Sequence, residues 1–301
     1  MTDRFVRAVH RDLKIRAVAI LAPELCQTAA RRHRTTPAVS CALGRGLLSA
    51  LLVATLNPSR ERVTIQLLAD GPLKGIITDA YEDGQVRGYP LDPEACPDAR
   101  MDKRQILAKL IGRDGLCNVV RDIGVRERVQ GQVNLVTSEI DEDVEAYLRQ
   151  SEQVQSALGT ELVMAEDGRI LSAGAVLMQL MPDSTPEAHK QLREAQMALR
   201  GGELYDALKA GVRSPMELVR LVLGPYADGA EALDEQPVQF RCRCDRGRIQ
   251  ALVRALDPAE LDGMIEEGKA EITCNFCNEV YTIDRDELVS LRAERSAAAP
   301  N

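Results

Sequence analysis

The chain has 301 residues, 45% of them hydrophobic, with a formal net charge of −8. That is enough apolar sequence for one sizeable core and a small second unit, so two or three domains are expected. The acidic balance, with aromatics at only 3%, excludes a nucleic-acid surface spread over the whole molecule and confines any such role to a local patch.

No stretch approaches the ~18 uninterrupted apolar residues of a membrane span, and Met1 to Arg16 is charged throughout without an apolar signal core. A soluble, cytoplasmic protein with no membrane partner is expected.

In chain order, the first segment shows strand-like alternation at Val18 and Ile20. Thr36-Pro37 reads as a cap and first-turn proline, starting a helix that runs to Asn57-Pro58. Gly44-Arg45-Gly46 lies inside that helix and lacks the third glycine of a dinucleotide loop, so it reads as a site of close helix packing. The period then becomes two at Val63, Ile65 and Leu67, and Asp70-Gly71-Pro72 turns the chain into Ile76 and Ile77 as a hairpin. Glu82 to Gln85 makes a second turn into Val86 to Tyr89. Gln132 to Thr137 reads as a strand, and Ser138 to Asp141 as the cap of an amphipathic helix around Val144 and Leu148.

A last hairpin through Asp167-Gly168 leads into an unusually apolar strand, Ile170 to Met181, closed by Pro182. Short helices follow at Pro186 to Leu199, Leu204 to Ala210 and from Ser214-Pro215, and their order must come from packing an apolar face on a neighbour. Asp228 to Glu235 reads as an acidic loop. The fold class is α+β: a mixed N-terminal domain with antiparallel hairpins over 1–182, a helical linker over 183–235, a small cysteine domain over 236–290 and a flexible tail over 291–301.

Four of the eight cysteines crowd into that small domain as Cys242-Arg243-Cys244 and Cys274-Asn275-Phe276-Cys277. Two close pairs of thiolates match a tetrahedral zinc site, each pair forming half of the shell, with one zinc per reduced chain. Between them, Asp257-Pro258-Ala259-Glu260 starts a helix, Gly268 stops one, and Ala270 to Thr273 returns as a strand. His10, His33 and His189 have no ligand spacing and read as surface residues, while Cys26, Cys41, Cys96 and Cys117 stand singly and are assigned no role. Arg241, Arg243, Arg246, Arg248 and Arg254 form a local basic cluster beside the first pair.

A C-x-C pair followed about thirty residues later by C-x-x-C, ending a chain of this size, resembles the 33 kDa redox-regulated heat-shock chaperonin family. The likeness extends to Arg87-Gly88-Tyr89, Gly131-Gln132-Val133, Glu142-Asp143 through Tyr147 to Ser151-Glu152-Gln153, Gly174 to Pro182 and Phe240-Arg241-Cys242, and covers essentially the whole chain. Pro90 and Asp92-Pro93 depart from that family's pattern. The resemblance implies an ATP-independent holdase, not an enzyme, that is inactive when reduced and zinc-bound. Oxidation would then join Cys242 with Cys244 and Cys274 with Cys277, release zinc, unfold the linker and cysteine domain, favour a homodimer and expose a surface for unfolding client proteins.

Two other classes compete. The cysteine module and arginine cluster would also suit a zinc-ribbon nucleic-acid binder, which the net charge opposes. Cys274-x-x-Cys277 would suit a thiol-disulfide enzyme, but it follows a strand without a βαβ context. No phosphate loop, nucleophile elbow or H-E-x-x-H run is present.

Overall fold

The computed structural model describes residues 2–56, 62–96, 103–122 and 128–298. The chain begins with β1 (Arg4–His10), β2 (Ile15–Leu21), α1 (Pro23–His33), α2 (Pro37–Thr55), β3 (Arg62–Ala69), β4 (Gly75–Tyr81) and β5 (Gln85–Pro90). It continues with α3 (Lys103–Ile111), β6 (Gly115–Asp122), β7 (Arg128–Asn134), α4 (Ile140–Gln150), β8 (Ser156–Met164) and β9 (Ile170–Leu180). Helices α5 (Pro186–Gly201), α6 (Glu203–Ala210) and α7 (Pro215–Leu223) follow, then a 3₁₀ segment (Gly224–Gly229), β10 (Glu231–Pro237) and β11 (Gln239–Phe240). All of these belong to one unit, residues 1–241.

Two sheets organise this unit. The first has the order β10-β1-β2-β9-β8 and is antiparallel throughout; the second has the order β11-β5-β4-β3-β6-β7. The apolar run of β9 follows from its central place in the first sheet, where both faces are covered. Ala173, Ala175 and Leu177 join the core around α1 and α2, while Val176 and Met178 join the core beneath α5 to α7. The second sheet is covered on one face only, so β3 alternates, with Val63, Ile65 and Leu67 buried and Thr64 and Gln66 half-buried on the other side.

Helix α2 packs against strands of both sheets. It is long and apolar enough to cross a membrane, with a mean hydropathy of 1.6, yet 89% of that window is buried inside the protein. Thr36 caps it by accepting from the Val39 N–H, as its sequence suggests. Its expected end, Asn57-Pro58, lies outside the described residues. A Cβ at Gly44 would stand 2.7 Å from Leu162 Cδ2, so the glycine permits the helix to sit close to β8.

Between two glycines, Arg45 is buried and bonded through all three of its guanidinium nitrogens. It donates to Glu139 at 2.8 Å, to Asp141 at 2.6 Å and to Thr160 Oγ1 at 3.2 Å. This changes the start of α4 from the expected capping arrangement. Glu139 occupies the cap position without a side-chain cap bond, because its carboxylate and that of Asp141 are turned to Arg45. Ser138 instead bonds the Gly112 carbonyl, and Asp143 accepts the Val136 and Thr137 N–H groups, which ends β7 at Asn134 rather than Thr137.

Residues 183–235 fold with this unit. Leu192, Leu199, Leu208, Leu218 and Val222 cover the second face of the first sheet, supplying the neighbour that such short helices need. The segment expected as an acidic loop contains strand β10, antiparallel to β1. Glu235 pairs with Arg4 at 2.6 Å, Glu231 with Arg11 at 2.8 Å, and Asp234 with Arg7. Charge complementarity thus replaces apolar alternation in this pairing.

The second unit, residues 242–301, contains α8 (Arg246–Ala255), α9 (Pro258–Glu267), β12 (Lys269–Thr273), β13 (Val280–Asp284) and α10 (Arg285–Ala298). The capping box at Asp257 and Glu260 and the left-handed Gly268 that closes α9 match their sequence signals. The expected tail from residue 291 instead continues α10, where Leu291 is buried, as far as Ala298; 299–301 lie outside the described residues. The core of this unit is Ile249, Val253, Leu261, Ala270, Ile283, Leu288 and Leu291. So small a core needs a further staple.

Replacing Arg45 with Met should destabilise the first unit by about 3–5 kcal/mol, because two buried carboxylates lose their cation. Urea unfolding followed by circular dichroism measures this, and an unchanged midpoint would refute it. A second expectation concerns Asp3, whose carboxylate accepts the Glu24 and Leu25 N–H groups at the start of α1. Burial outweighs those bonds and pushes it up to about 6 from an ordinary 3.8. The folded state therefore holds this proton more tightly, so the stability it contributes is full below about pH 4 and is lost as pH rises through about 6. Asp3→Asn should flatten that part of the stability profile.

Candidate metal centre

Cys242 and Cys244 immediately precede α8, whose cap Asp245 accepts the Arg248 N–H at 2.9 Å. Cys274 and Cys277 lie in the connection between β12 and β13. There the Cys274 N–H donates to the Glu279 carbonyl at 2.9 Å, and the Cys274 carbonyl accepts from Cys277 at 3.2 Å and from Asn278 at 2.8 Å. Asn278 completes the turn in the left-handed region, at φ 59°. This is a tight knuckle, and it points both sulfurs to one side.

The four sulfurs lie within 4.8 Å of one another. Sulfurs of the two pairs approach each other closely: 3.7 Å from Cys242 to Cys274 and 3.4 Å from Cys244 to Cys277. All eight cysteines of the chain are free thiols in this structure. A tetrahedral zinc with bonds of ~2.3 Å sets its sulfurs ~3.8 Å apart, so the donor set and its spacing fit such an ion. The residues expected as ligands are brought together, and the cluster can hold a metal ion.

Hydrogen bonds reach the cluster from outside. The Phe276 N–H is directed to Cys274, and the Glu279 N–H to Cys277. Tyr281 on β13 donates its hydroxyl to Cys244 Sγ at 3.1 Å. Sequence reading passes over Tyr281; its only signal is its position four residues beyond Cys277 on the returning strand. Burial, and then the Cys242 sulfur, push Cys274 upward, and burial with the Cys244 and Cys242 sulfurs does the same to Cys277; a cation at the centre would favour their deprotonated forms. The bond to Cys244 likewise pushes the Tyr281 phenol upward.

The other candidates take different places. Cys26 and Cys117 are buried in the first unit, and burial pushes Cys117 up to about 12, as befits small core residues. Cys41 is half-buried and Cys96 exposed. Two histidines expected at the surface are buried: the His10 ring accepts the Leu13 N–H at 3.3 Å and lies edge-on to Tyr226, and His33 packs against Phe240. Both use an apolar ring with a polar edge to end a secondary-structure element. His189 is half-buried, with Nε2 3.2 Å from Ser184 Oγ. The basic cluster is largely paired: Arg246 with Glu287, Arg248 with Asp245 at 3.5 Å and Arg254 with Glu294 at 3.3 Å.

Comparison with known proteins places these features together. A family model described as Hsp33 protein matches residues 3–284. The 33 kDa chaperonin of Symbiobacterium thermophilum is 36% identical over 294 residues, covering 97% of this chain and 98% of that protein. That of Bacillus subtilis is 34% identical over 291 residues, covering 96% and 98%. The crystal structure of the 33 kDa chaperonin from Thermotoga maritima shares the fold at a TM-score of 0.86, over 99% of this chain and 100% of that one, at 24% identity.

Reduced protein should take up one cobalt(II) or zinc(II) per chain through the four thiolates, with the thiolate-to-cobalt absorption of a tetrahedral site. Because binding displaces thiol protons, the affinity should fall as pH falls. Stoichiometric tight metal in a Cys274→Ser, Cys277→Ser double variant would refute the ligand assignment.

Proposed function

The chain belongs to the Hsp33 family, and from that membership we propose that it is a redox-regulated, ATP-independent holdase chaperone of the cytoplasm, without catalytic activity of its own. Four sulfurs within 4.8 Å of one another, joining two chain segments of a unit with a seven-residue core, carry this reading. Zinc would be the resident ion, bound by Cys242, Cys244, Cys274 and Cys277, and it would supply the clamp between those segments.

The oxidant in this reading is a peroxide. One sulfur of a pair attacks a peroxide oxygen, an S–O bond forms and the O–O bond breaks with loss of hydroxide. The second sulfur then attacks the first, an S–S bond forms and a second hydroxide leaves. Two thiols and one peroxide thus give one disulfide and two waters.

Which sulfurs join decides what happens to the fold. Bridges within each pair, Cys242 with Cys244 and Cys274 with Cys277, close such short loops that each contributes roughly 2 kcal/mol by chain entropy. Neither links one segment to the other. Bridges across the pairs would close loops of about thirty residues, contribute roughly 3 to 4 kcal/mol each, and keep the unit tied. A structural zinc is worth on the order of 10 to 16 kcal/mol of apparent binding energy, so exchanging it for bridges within the pairs removes most of the staple. We therefore assign the bridges within pairs as the activating ones, even though sulfurs of the two pairs also approach within 3.7 Å and 3.4 Å.

With its clamp gone, the unit over 242–301 loses order. The segment that precedes it in the chain, β10 with α5 to α7, loosens and bares part of the first sheet's apolar face for unfolding client proteins, and two oxidised chains pair. A nucleic-acid role is disfavoured by the carboxylates paired with Arg246, Arg248 and Arg254.

Peroxide treatment should release one zinc per chain and switch on suppression of client aggregation without added nucleotide. Metal release and light scattering followed together test this, and a requirement for ATP would overturn the holdase reading. Peptide mapping of the oxidised protein should find Cys242 joined to Cys244 and Cys274 to Cys277. Bridges across the pairs in an active protein would overturn the proposed pairing.

A further inference from the structure

The cluster is not symmetric in how its sulfurs are held. Cys274 and Cys277 receive backbone N–H groups of their own knuckle, which no side-chain replacement removes. Among the described residues, the one O–H or N–H donor to Cys244 is the hydroxyl of Tyr281, at 3.1 Å. That hydroxyl makes no other hydrogen bond among the described residues. The ring is held independently of it: Tyr281 lies opposite Ile272 in the β12–β13 pair and packs against the small core of this unit. The hydroxyl is thus aimed by a strand at one sulfur, and that sulfur belongs to the pair lacking a knuckle of its own.

We propose that Tyr281 is a positioning residue that restrains oxidation of the Cys242–Cys244 pair by occupying a lone pair of Cys244 with its hydroxyl. This deepens the redox reading above and rests on it. A sulfur becomes an S–O or S–C centre by giving a lone pair to the electrophile. A donor bound to that sulfur draws density from it and must be displaced or weakened before attack. In the reaction with peroxide, the electrons that leave the pair pass to the O–O bond as already balanced. Tyr281 neither gains nor loses a proton overall, and its O–H is released from sulfur as the S–S bond forms. The consequence is a threshold: Cys242 and Cys244 resist weak oxidant, while the bond lasts only as long as β13 keeps its place.

Tyr281→Phe removes the hydroxyl and keeps the ring. The full-length, reduced, zinc-loaded variant should retain one zinc per chain and its melting behaviour. Its zinc release under excess hydrogen peroxide, read with a chromogenic chelator, should quicken about threefold to tenfold, the size of one ordinary hydrogen bond. Alkylation by iodoacetamide, mapped by mass spectrometry, should quicken at Cys244 and stay unchanged at Cys274.

Equal or slower rates at Cys244 would overturn the proposal, and so would a variant unable to hold zinc, since the hydroxyl would then be structural. If the wild-type protein keeps its zinc and thiols under peroxide, the redox reading fails. The alkylation comparison would still decide whether Tyr281 shields Cys244.

Discussion

The crowding of four sulfurs at one point governs what the second unit can be. Ile249, Val253, Leu261 and their four partners make too small a core to hold two helices, a hairpin and α10 by burial alone. The segment before α8 and the knuckle after β12 bring their four sulfurs within 4.8 Å of one another. A larger core would leave such a cluster ornamental. With so small a core, an ion held by the four sulfurs would contribute a large share of the unit's stability.

The first unit is built on the opposite plan. Helix α2 packs against strands of both sheets, and the first sheet is covered on both faces, so no single contact decides its order. Its buried ion cluster of Arg45 with Glu139 and Asp141 is enclosed by the fold and fixes the start of α4 against β8. One chain thus joins a unit whose stability is spread over many contacts to one whose stability rests on few.

Legibility in the sequence follows the same division. The paired cysteines are readable because ligand chemistry demands residue types at short spacing, whatever the surrounding fold. Strands β3 and β4, helix α2 with its Thr36 cap, and the capping box at Asp257 are readable because their signals are local. Strand β10 is not: it has little alternation, its residues resemble a solvated loop, and its partner β1 lies more than two hundred positions away. The start of α4 is misread because Glu139 and Asp141 serve a distant arginine instead of their own helix. His10, His33 and Tyr281 are missed for a related reason, since each takes its role from a neighbour that only the folded chain supplies.

Strand β10 has a further consequence at the border of the first sheet. An uncovered β1 would offer other chains a row of open backbone groups flanked by Phe5, Val6 and Ala8, a template for strand addition. The strand that covers it ends the sheet with Glu231, Asp234, Glu235 and a terminal Pro237. These carboxylates are paired with Arg4, Arg7 and Arg11, so the border presents charged, hydrated side chains in place of an apolar edge, and the proline has no N–H to lend. The border that β10 forms is therefore poorly suited to strand addition by a second copy of the chain.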